Sequence, residues 1–239
     1  MTEEIFREDA YVKSCEAHVT AHTEDGVILD RTVFYPEGGG QPGDTGILNV
    51  AGGTQIRITQ TFKGKGDVAG SIVHLIEEGV ELPAIGDSVT VELDWDRRYA
   101  HMRMHTLLHL MLSLVNAKIN GAAVGAVKSR MDFDLGDLVL DKEHLTEELN
   151  RLITEDHSVR ASWISDQELE ERPELVRTMS VQPPTGHGMV RLMEIDQIDL
   201  QPCGGTHVLS TSEIGRVKIG KIENKGKHNR RVNLVFDND

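Results

Sequence analysis

The stretch that decides the fold runs from Asp94 to His109 and reads DWDRRYAHMRMHTLLH. Before it, apolar and polar residues alternate; within it, the apolar period lengthens to that of a helix. This change of period predicts a helix that begins with Asp96 as its N-cap and ends near Lys118. His105 and His109 are four positions apart, so both imidazoles lie on one face of this helix, close enough to share an ion.

A second motif, Cys203-Gly204-Gly205-Thr206-His207, offers a thiolate and an imidazole on a glycine-rich turn. A histidine pair alone is also typical of surface or core histidines. Two ligands from a helix joined by two from a distant loop are a common way to build a tetrahedral zinc site. Thr106 and Leu107 occupy the positions where a zincin protease has its glutamate, so that class is disfavoured. The four side chains predict a zinc-dependent hydrolase.

Four protein ligands would close a tetrahedral site, and closed sites of one cysteine and three histidines are usually structural. Catalysis needs an open position. Either one ligand is loosely held or absent, with His207 the first candidate, or the zinc expands its coordination. His101 lies four residues before His105 on the same helical stripe. It is expected to support the ligands from behind or to lie on the surface, and contact with substrate is the alternative.

The composition is that of an ordinary soluble protein, and no apolar run approaches the ~18 residues that a membrane span needs. The acidic N-terminus lacks the basic and apolar regions of a signal peptide, so we expect a cytoplasmic protein with no membrane partner. The two cysteines, Cys15 and Cys203, are not expected to form a disulfide in a reducing compartment. Cys15 is expected to be a partly buried thiol of a strand.

The net charge of −14 argues against a nucleic-acid partner, but the charge is unevenly distributed. Between residues 216 and 231 the single acid is Glu223, and basic residues are frequent. Such a local patch can take phosphates despite the global sum. The basic residues of this segment are Arg216, Lys218, Lys221, Lys225, Lys227, Arg230 and Arg231.

Two domains are expected. Up to about Leu93, short alternating strands broken by glycine-rich turns predict a small β-barrel over residues 1–93. Gly38, Gly39 and Gly40 lie within it and offer backbone N–H groups to a ligand, although a wide turn is the simpler interpretation. Over residues 94–239, strands and helices follow without a regular βαβ rhythm, which predicts an α+β domain. Its expected elements are a helix at 145–154 and strands at 130–135, 159–164, 189–195, 214–222 and 231–236.

Over nearly its whole length, the sequence resembles the stand-alone alanyl-tRNA editing proteins of the AlaX family, of the medium-length type with an N-terminal glycine-motif domain. These proteins are similar to the editing domain of alanyl-tRNA synthetase. Residues 38–42 resemble the family's glycine motif, 101–109 its first zinc motif and 203–208 its second. Residues 130–133 and 221–227 also resemble family segments.

The resemblance implies an ATP-independent aminoacyl-tRNA deacylase that hydrolyses Ser-tRNA(Ala), and Gly-tRNA(Ala) as a further target, to protect translation fidelity. It implies a two-layer α+β editing domain of the threonyl/alanyl-tRNA synthetase type after the barrel. One Zn²⁺ per chain would be held by residues that also carry the catalysis: His105, His109, Cys203 and His207. The implied substrate contacts are Gly38, Gly39, Gly40, Asn120, Lys221, Lys225, Lys227 and Arg230.

One stretch departs from the family. Members commonly carry Thr-Gly-x-Gln after the first helix, and this chain has Asn120-Gly121-Ala122-Ala123. Asn120 can still bind a serine hydroxyl, whereas Ala123 cannot replace an amide. Two rival functions stay open: a non-catalytic tRNA-binding module with a structural zinc, and a metal-dependent esterase or amidase for a small substrate. Both a monomer and a homodimer are compatible with the sequence.

Overall fold

The computed structural model describes residues 1–24, 26–136, 138–176 and 188–237. The chain divides into two compact units, Met1–Tyr99 and Ala100–Asp239. The division falls inside a helix that begins at Trp95, whereas the predicted domains meet just before that helix. Among the described residues, no helix is both long and apolar enough to cross a membrane.

The first unit contains a closed barrel, which confirms the predicted β-barrel. The strands of this unit are β1 (Glu3–Glu4), β2 (Ser14–His22), β3 (Gly26–Leu29), β4 (Arg31–Thr32), β5 (Gly46–Val50), β6 (Gln55–Lys63), β7 (Ile72–Ile76) and β8 (Ser88–Leu93). The barrel closes in the order β2-β3-β7-β6-β5-β8 with antiparallel neighbours. β1 and β4 form a separate parallel pair.

Alternation along each strand fills the barrel. In β8, Val89, Val91 and Leu93 are buried and the residues between them are exposed, because successive side chains of a strand point to opposite faces. The same pattern brings Leu48, Ile56 and other apolar residues into one buried cluster. The hydrophobic period of two therefore encodes the barrel interior directly.

The glycine segment forms a tight turn. Gly38 and Gln41 exchange backbone hydrogen bonds of 3.0 and 3.1 Å, and the hydroxyl of Tyr35 donates to the Gly38 carbonyl. Gly39 and Gly40, between them, have φ of +58° and +82°. Positive φ at both central residues is a turn geometry that glycine adopts at little steric cost. A turn is present, but it is tighter than the wide turn predicted, and a role in binding stays a prediction.

A histidine is buried in the barrel without a charged partner among the described residues. His74 is fully buried, and its Nε2 lies 2.8 Å from Oγ1 of Thr32. Nδ1 of His74 lies 3.4 Å from the Val27 carbonyl, which can only accept, so Nδ1 carries the proton and Nε2 accepts from the Thr32 hydroxyl. His74 is therefore held in its neutral form, and burial lowers its pKa to about 4.

This histidine makes barrel stability depend on pH. In the unfolded chain its pKa is about 6.5, so the unfolded state binds more protons between about pH 4 and 6.5. The stabilisation is complete above that window and is lost as the pH falls through it, by about 3 kcal/mol in all. Denaturant unfolding of wild type and His74→Gln from pH 7 to 4 measures this loss. Over this pH range, the free energy of unfolding should fall further in wild type than in His74→Gln. Parallel pH profiles of the two proteins would contradict a neutral, buried His74.

The second unit is mixed α and β, as predicted. Its helices are α1 (Trp95–Leu114, shared with the first unit), α2 (Lys142–Thr154) and α3 (Asp166–Glu170). Its strands are β9 (Lys118–Ala123), β10 (Lys128–Asp134), β11 (Val159–Ser165), β12 (Met189–Ile195), β13 (Asp199–Pro202), β14 (Val217–Asn224) and β15 (Asn229–Phe236). They form two antiparallel sheets, ordered β14-β15-β10-β9 and β11-β12-β13. The α+β class is confirmed.

The ends of α1 differ from the prediction. The carboxylate of Asp94 accepts from the backbone N–H of Arg97, so Asp94 caps the helix and the prediction of Asp96 was wrong. The helix ends at Leu114 rather than near Lys118, which already begins β9. His105 and His109 both lie on α1, so the prediction that one helix carries the two histidines is confirmed.

Helix α2 is held against the larger sheet. Leu145, Leu149, Leu152 and Ile153 are buried along one side of it. The Asn150 side chain donates to the Val217 carbonyl and accepts from the Val217 N–H, at 2.8 and 3.0 Å. Because these bonds satisfy the backbone of β14 at its first residue, they fix the helix on that strand.

Candidate metal centre

Helix α1 presents the first half of the cluster. His105 and His109 are 7% and 5% exposed, and their ring centroids are 5.5 Å apart. Neighbouring helix residues such as Met104, Leu107 and Leu108 are buried around them. The two imidazoles are thus held on a rigid element at the spacing that one helical turn imposes.

The Cys203–His207 turn brings the second half. Sγ of Cys203 lies 3.5 Å from Nε2 of His105 and 3.2 Å from Nε2 of His207. The His207 ring centroid is 4.3 Å from that of His105 and 4.6 Å from that of His109. One potential ligand atom from each of the four residues lies within 4.8 Å of all the others. The four residues predicted from the two motifs converge on one point.

Hydrogen bonds behind two of the imidazoles orient them. Nδ1 of His109 lies 2.9 Å from the Asp199 carboxylate, which also accepts from the Gln201 amide at 2.6 Å. A carboxylate can only accept, so Nδ1 donates to Asp199 and Nε2 is the nitrogen that faces the cluster and could bind an ion. Metal-ligating histidines almost always have such a partner.

His207 is oriented in the same way by a hydroxyl. Oγ1 of Thr106 donates to the Met102 carbonyl at 3.0 Å and lies 3.1 Å from Nδ1 of His207. With its own proton used, this oxygen accepts from Nδ1. Nε2, which is the atom facing Cys203, is left as the basic nitrogen. Thr106 therefore links the helix to the turn.

The turn itself is held by a buried arginine. Nη1 of Arg191, on β12, donates to the carbonyls of Cys203 and Gly205, both at 2.9 Å. The backbone N–H of Gly205 lies 3.4 Å from Sγ of Cys203. Arg191 is 8% exposed. A charged group this deep fixes the turn's backbone because its donors have no water to replace the carbonyls.

Burial and neighbouring charges shift the pKa values of Cys203, His207 and His109. Burial raises the pKa of the Cys203 thiol, but the imidazoles of His105 and His207 lower it more, so it lies well below its usual value. Burial, together with the charge of His105, lowers the pKa of His207. Burial also lowers the pKa of His109, but Asp199 and Cys203 outweigh it and raise the value to about 10. With this raised pKa the imidazole of His109 is protonated near neutral pH. A cation that binds Nε2 must displace the proton there, so the affinity of the site for the cation rises with pH.

These donors fit zinc. Ligand atoms at zinc bond lengths of about 2.0–2.3 Å are about 3.3–3.6 Å apart in a tetrahedron. The two sulfur–nitrogen distances at Cys203, 3.5 and 3.2 Å, are close to this edge length. A thiolate with neutral imidazoles is the donor set that zinc prefers, and hard cations such as Mg²⁺ prefer oxygen. The cluster can hold one zinc ion.

Comparison with known proteins places the chain in a family. Residues 5–97 match the family model described as tRNA synthetases class II (A), and residues 190–233 match the threonyl and alanyl tRNA synthetase second additional domain. The alanyl-tRNA editing protein AlaX-M of Methanosarcina mazei is 40% identical over 241 residues, covering 97% of this chain and 95% of that protein. The AlaX-M protein of Saccharolobus solfataricus is 36% identical over 239 residues, covering 97% and 98%.

The chain belongs to the AlaX-M family of alanyl-tRNA editing proteins. The predicted resemblance is confirmed. An alanine–tRNA ligase of Saccharolobus islandicus is also 36% identical over 234 residues, which are 93% of this chain and 25% of the ligase. The AlaX-M chain thus corresponds to about a quarter of that larger enzyme.

The other predicted site residues of this AlaX-M chain are more dispersed. His101 is buried at 2% exposure, which excludes the surface position, and it is not one of the four clustered residues. Asn120 is exposed on β9, and Gly121 next to it pairs with Asp132 of β10. The glycines at 38–40 lie in the other unit. Binding roles for Asn120 and the glycines stay predictions.

The basic segment is largely engaged with acids. Lys225 lies 3.0 Å from Glu223, and Arg231 binds Asp132 with two hydrogen bonds of 2.8 Å. Lys218 and Arg216 both approach Asp237. Arg230 donates to Asn224 and to its own turn. Within the described part of the chain, Lys221 and Lys227 are the exposed members with no ion pair. The local positive charge is smaller than the residue count suggests.

Sequence reasoning missed the residues that orient the cluster, namely Thr106, Arg191, Asp199 and Gln201. The sequence contained a signal for Asp199 and Gln201. Asp199, Gln201 and Cys203 occupy alternate positions, which places them on one face of a strand. Arg191 and Thr106 carried no such signal, because Arg191 binds backbone carbonyls 12 and 14 residues away and Thr106 meets the side chain of His207 101 residues away.

Proposed function

We propose that this AlaX-M protein hydrolyses the ester of tRNA(Ala) mischarged with serine, and with glycine as a second substrate, at a zinc ion held by His105, His109, Cys203 and His207. The observation that carries the proposal is the convergence of these four side chains, two of which, His109 and His207, are oriented by a buried polar partner. The name of the relatives, alanyl-tRNA editing protein, supports this substrate class.

Errors in attaching alanine to tRNA(Ala) make a correcting hydrolysis necessary. An alanine pocket cannot strongly exclude glycine, and a small apolar pocket rejects an added hydroxyl poorly. A second site that hydrolyses the wrong ester corrects both errors. The residues 1–93 and 94–239 would divide this work, the barrel with Gly38, Gly39 and Gly40 as an accessory recognition element and the second domain as the editing site.

The protein's own groups position the reactants. Arg191 and Thr106 fix the turn and the imidazole of His207, and Asp199 fixes His109, so the ligand atoms are held in place before substrate arrives. A bound zinc ion would polarise the ester carbonyl and orient the attacking water. Asn120 would bind the serine hydroxyl, and the exposed amines of Lys221 and Lys227, with Lys225 and Arg230 beside them, would contact tRNA phosphates.

The test is a deacylation time course with zinc-loaded protein and three substrates: Ser-tRNA(Ala), Gly-tRNA(Ala) and Ala-tRNA(Ala). The proposal predicts release of serine well above the spontaneous rate, with the correct alanyl ester spared. The Asn120→Ala variant should lose rate on the seryl substrate and keep it on the glycyl one. Release at the spontaneous rate from all three substrates would overturn the proposal.

A second candidate function is favoured by one observation. Four protein donors close a tetrahedral site, and such sites are usually structural. A non-catalytic tRNA-binding module predicts that chelation unfolds the second unit and that no turnover occurs at any zinc content. The editing enzyme instead predicts that chelation removes activity at metal concentrations where circular dichroism is still that of the folded protein.

The Asp199–His109 bond gives a separate prediction. Asp199→Asn is expected to weaken zinc binding about tenfold to hundredfold, because losing the carboxylate behind a metal-bound imidazole lowers its basicity and loosens its orientation. Competition with a chromophoric chelator measures this affinity. Asp196→Asn, the same change at a partly exposed ion pair with Arg160, is the control. Equal zinc affinity in both variants would contradict the role of Asp199.

A further inference from the structure

The sheet β11-β12-β13 has one side that faces the cluster. Asp199 and Gln201 of β13 both approach His109, so their side of the sheet is the cluster side. Gln201 pairs with Met193 of β12, which places Met193, and Arg191 two residues before it, on the same side. The bonds from Arg191 to the Cys203 and Gly205 carbonyls agree with this assignment.

The edge strand β11 adds a tryptophan to this side. Trp163 lies directly opposite Arg191 in the antiparallel register, and directly opposed residues share a face. The other side of the sheet packs into an apolar cluster that contains Val190, Leu192 and Leu169. Trp163 is therefore not part of that core, and its position is on the cluster side, next to the arginine that holds the cysteine turn.

This side of the sheet is covered at one end and open at the other. Ile195 and Met193 are 1% and 3% exposed, whereas Trp163 and Met189 are 48% and 50% exposed. Met189 pairs with Ser165, so it is the diagonal neighbour of Trp163 on the same side. An exposed indole beside a thioether is costly in water, and exposed apolar patches commonly mark binding surfaces.

The position suits a nucleobase. Cys203 donates its N–H to the Arg191 carbonyl, so Trp163 lies two strand spacings from the Cys203 backbone, about 10 Å. The ester that the proposed reaction cleaves is attached to the terminal ribose of the tRNA, and the base of that nucleotide lies on the far side of the ribose. Stacking on an aromatic ring needs no positive charge, so it suits a chain with a net charge of −14.

We infer that Trp163 is a stacking platform for the terminal adenine of the tRNA 3′ end, on the open side of the sheet next to the metal centre. The inference rests on the proposed function for the identity of the substrate. By holding the base, Trp163 sets the distance between the ester and the cluster. Arg191, which lies between Trp163 and Cys203 in the sheet, keeps this distance rigid. Met189 extends the apolar surface beneath the base.

Fluorescence gives a test that does not depend on turnover. The sequence contains two tryptophans, so Trp95→Phe leaves Trp163 as the only tryptophan, and its emission can be excited at wavelengths that tyrosine does not absorb. Uncharged tRNA(Ala) should quench this emission, and tRNA(Ala) trimmed of its terminal adenosine should quench it far less. Equal quenching by the two RNAs, or none by either at saturating concentration, would overturn the stacking role.

Kinetics of Ser-tRNA(Ala) deacylation give the second arm. Trp163→Ala should lower kcat/KM about tenfold to hundredfold, the effect expected for removing one base–aromatic stack. Trp163→Phe, which keeps a ring, should retain most of it. Ser162→Ala, next in the chain but on the opposite side of the sheet, is the matched control and should equal wild type. All variants should stay folded at the assay temperature, since Trp163 is 48% exposed and Ser162 is exposed.

The two arms separate this inference from the proposed function. If wild type releases no serine above the spontaneous rate, the proposed function fails. If wild type is active and Trp163→Ala has the same kcat/KM, the editing function stands and the stacking role is overturned.

Discussion

Cys203→Ala is expected to lower the zinc content and the Ser-tRNA(Ala) deacylation rate together. Zinc held by four ligands is bound by about 10–16 kcal/mol, or about 2.5–4 kcal/mol for each ligand, so the loss of affinity should be roughly a hundredfold. The structure adds a second cost. The variant removes the sulfur atom that lies 3.2–3.5 Å from Nε2 of His105, Nε2 of His207 and the backbone N–H of Gly205, so these buried groups lose a polar partner.

The other cysteine supplies the matched control. Cys15 lies on β2 and packs against the barrel core, and burial raises the pKa of its thiol. A partly buried thiol with a raised pKa is a weak metal ligand. Cys15→Ala should therefore keep one zinc per chain and the wild-type rate. Metal analysis and deacylation on the same preparations test both variants; a Cys203→Ala protein with wild-type zinc content and rate would refute the assignment.

Arg98→Ala is expected to destabilise the barrel by about 3–5 kcal/mol, since it removes one partner of a buried ion pair. The Arg98 side chain is fully buried and binds the Asp44 carboxylate, which is 1% exposed. It also donates to the carbonyls of Ala10 and Val33, at 2.9 and 2.7 Å. Without Arg98, the charge of Asp44 and both carbonyls are left buried without their donor.

Arg31→Ala is the control for this variant. Arg31 pairs with Glu3 on the surface of the same unit, at 3.0 Å. Exposed pairs contribute about 0–1 kcal/mol. Thermal unfolding followed by circular dichroism should show a Tm lower by about 10 °C for Arg98→Ala, at about 2–4 °C per kcal/mol in a chain of this size. A shift of Arg98→Ala no larger than that of Arg31→Ala would show that the buried pair contributes little.

Much of the fold could be predicted because its apolar pattern is local. The alternation in β6 and β8 and the helical period of α1 and α2 appear in short windows of sequence. The strands that were missed lack this signal. β9 contains Asn120, Gly121 and two alanines, which favour a turn, and it is a strand because β10 pairs with it. Tertiary pairing outweighed the local preference there.

The candidate site was predictable to a similar extent and for a similar reason. Residue type and spacing identify His105, His109, Cys203 and His207, since metal ligands belong to few side-chain types. What surrounds them depends on strand register. The opposition of Trp163 and Arg191, and the pairing of Asp132 with Arg231 across β10 and β15, exist only once the sheets are assembled. This is also why the basic segment was predicted to be more open than it is.

Titration of metal-free protein with Zn²⁺, with Ser-tRNA(Ala) deacylation measured at each step, tests the central claim most directly. If the four clustered side chains hold one catalytic zinc, the rate rises from the spontaneous value and reaches a plateau at one equivalent per chain. Full activity in the metal-free protein, or a fully loaded protein that releases serine only at the spontaneous rate, would contradict it.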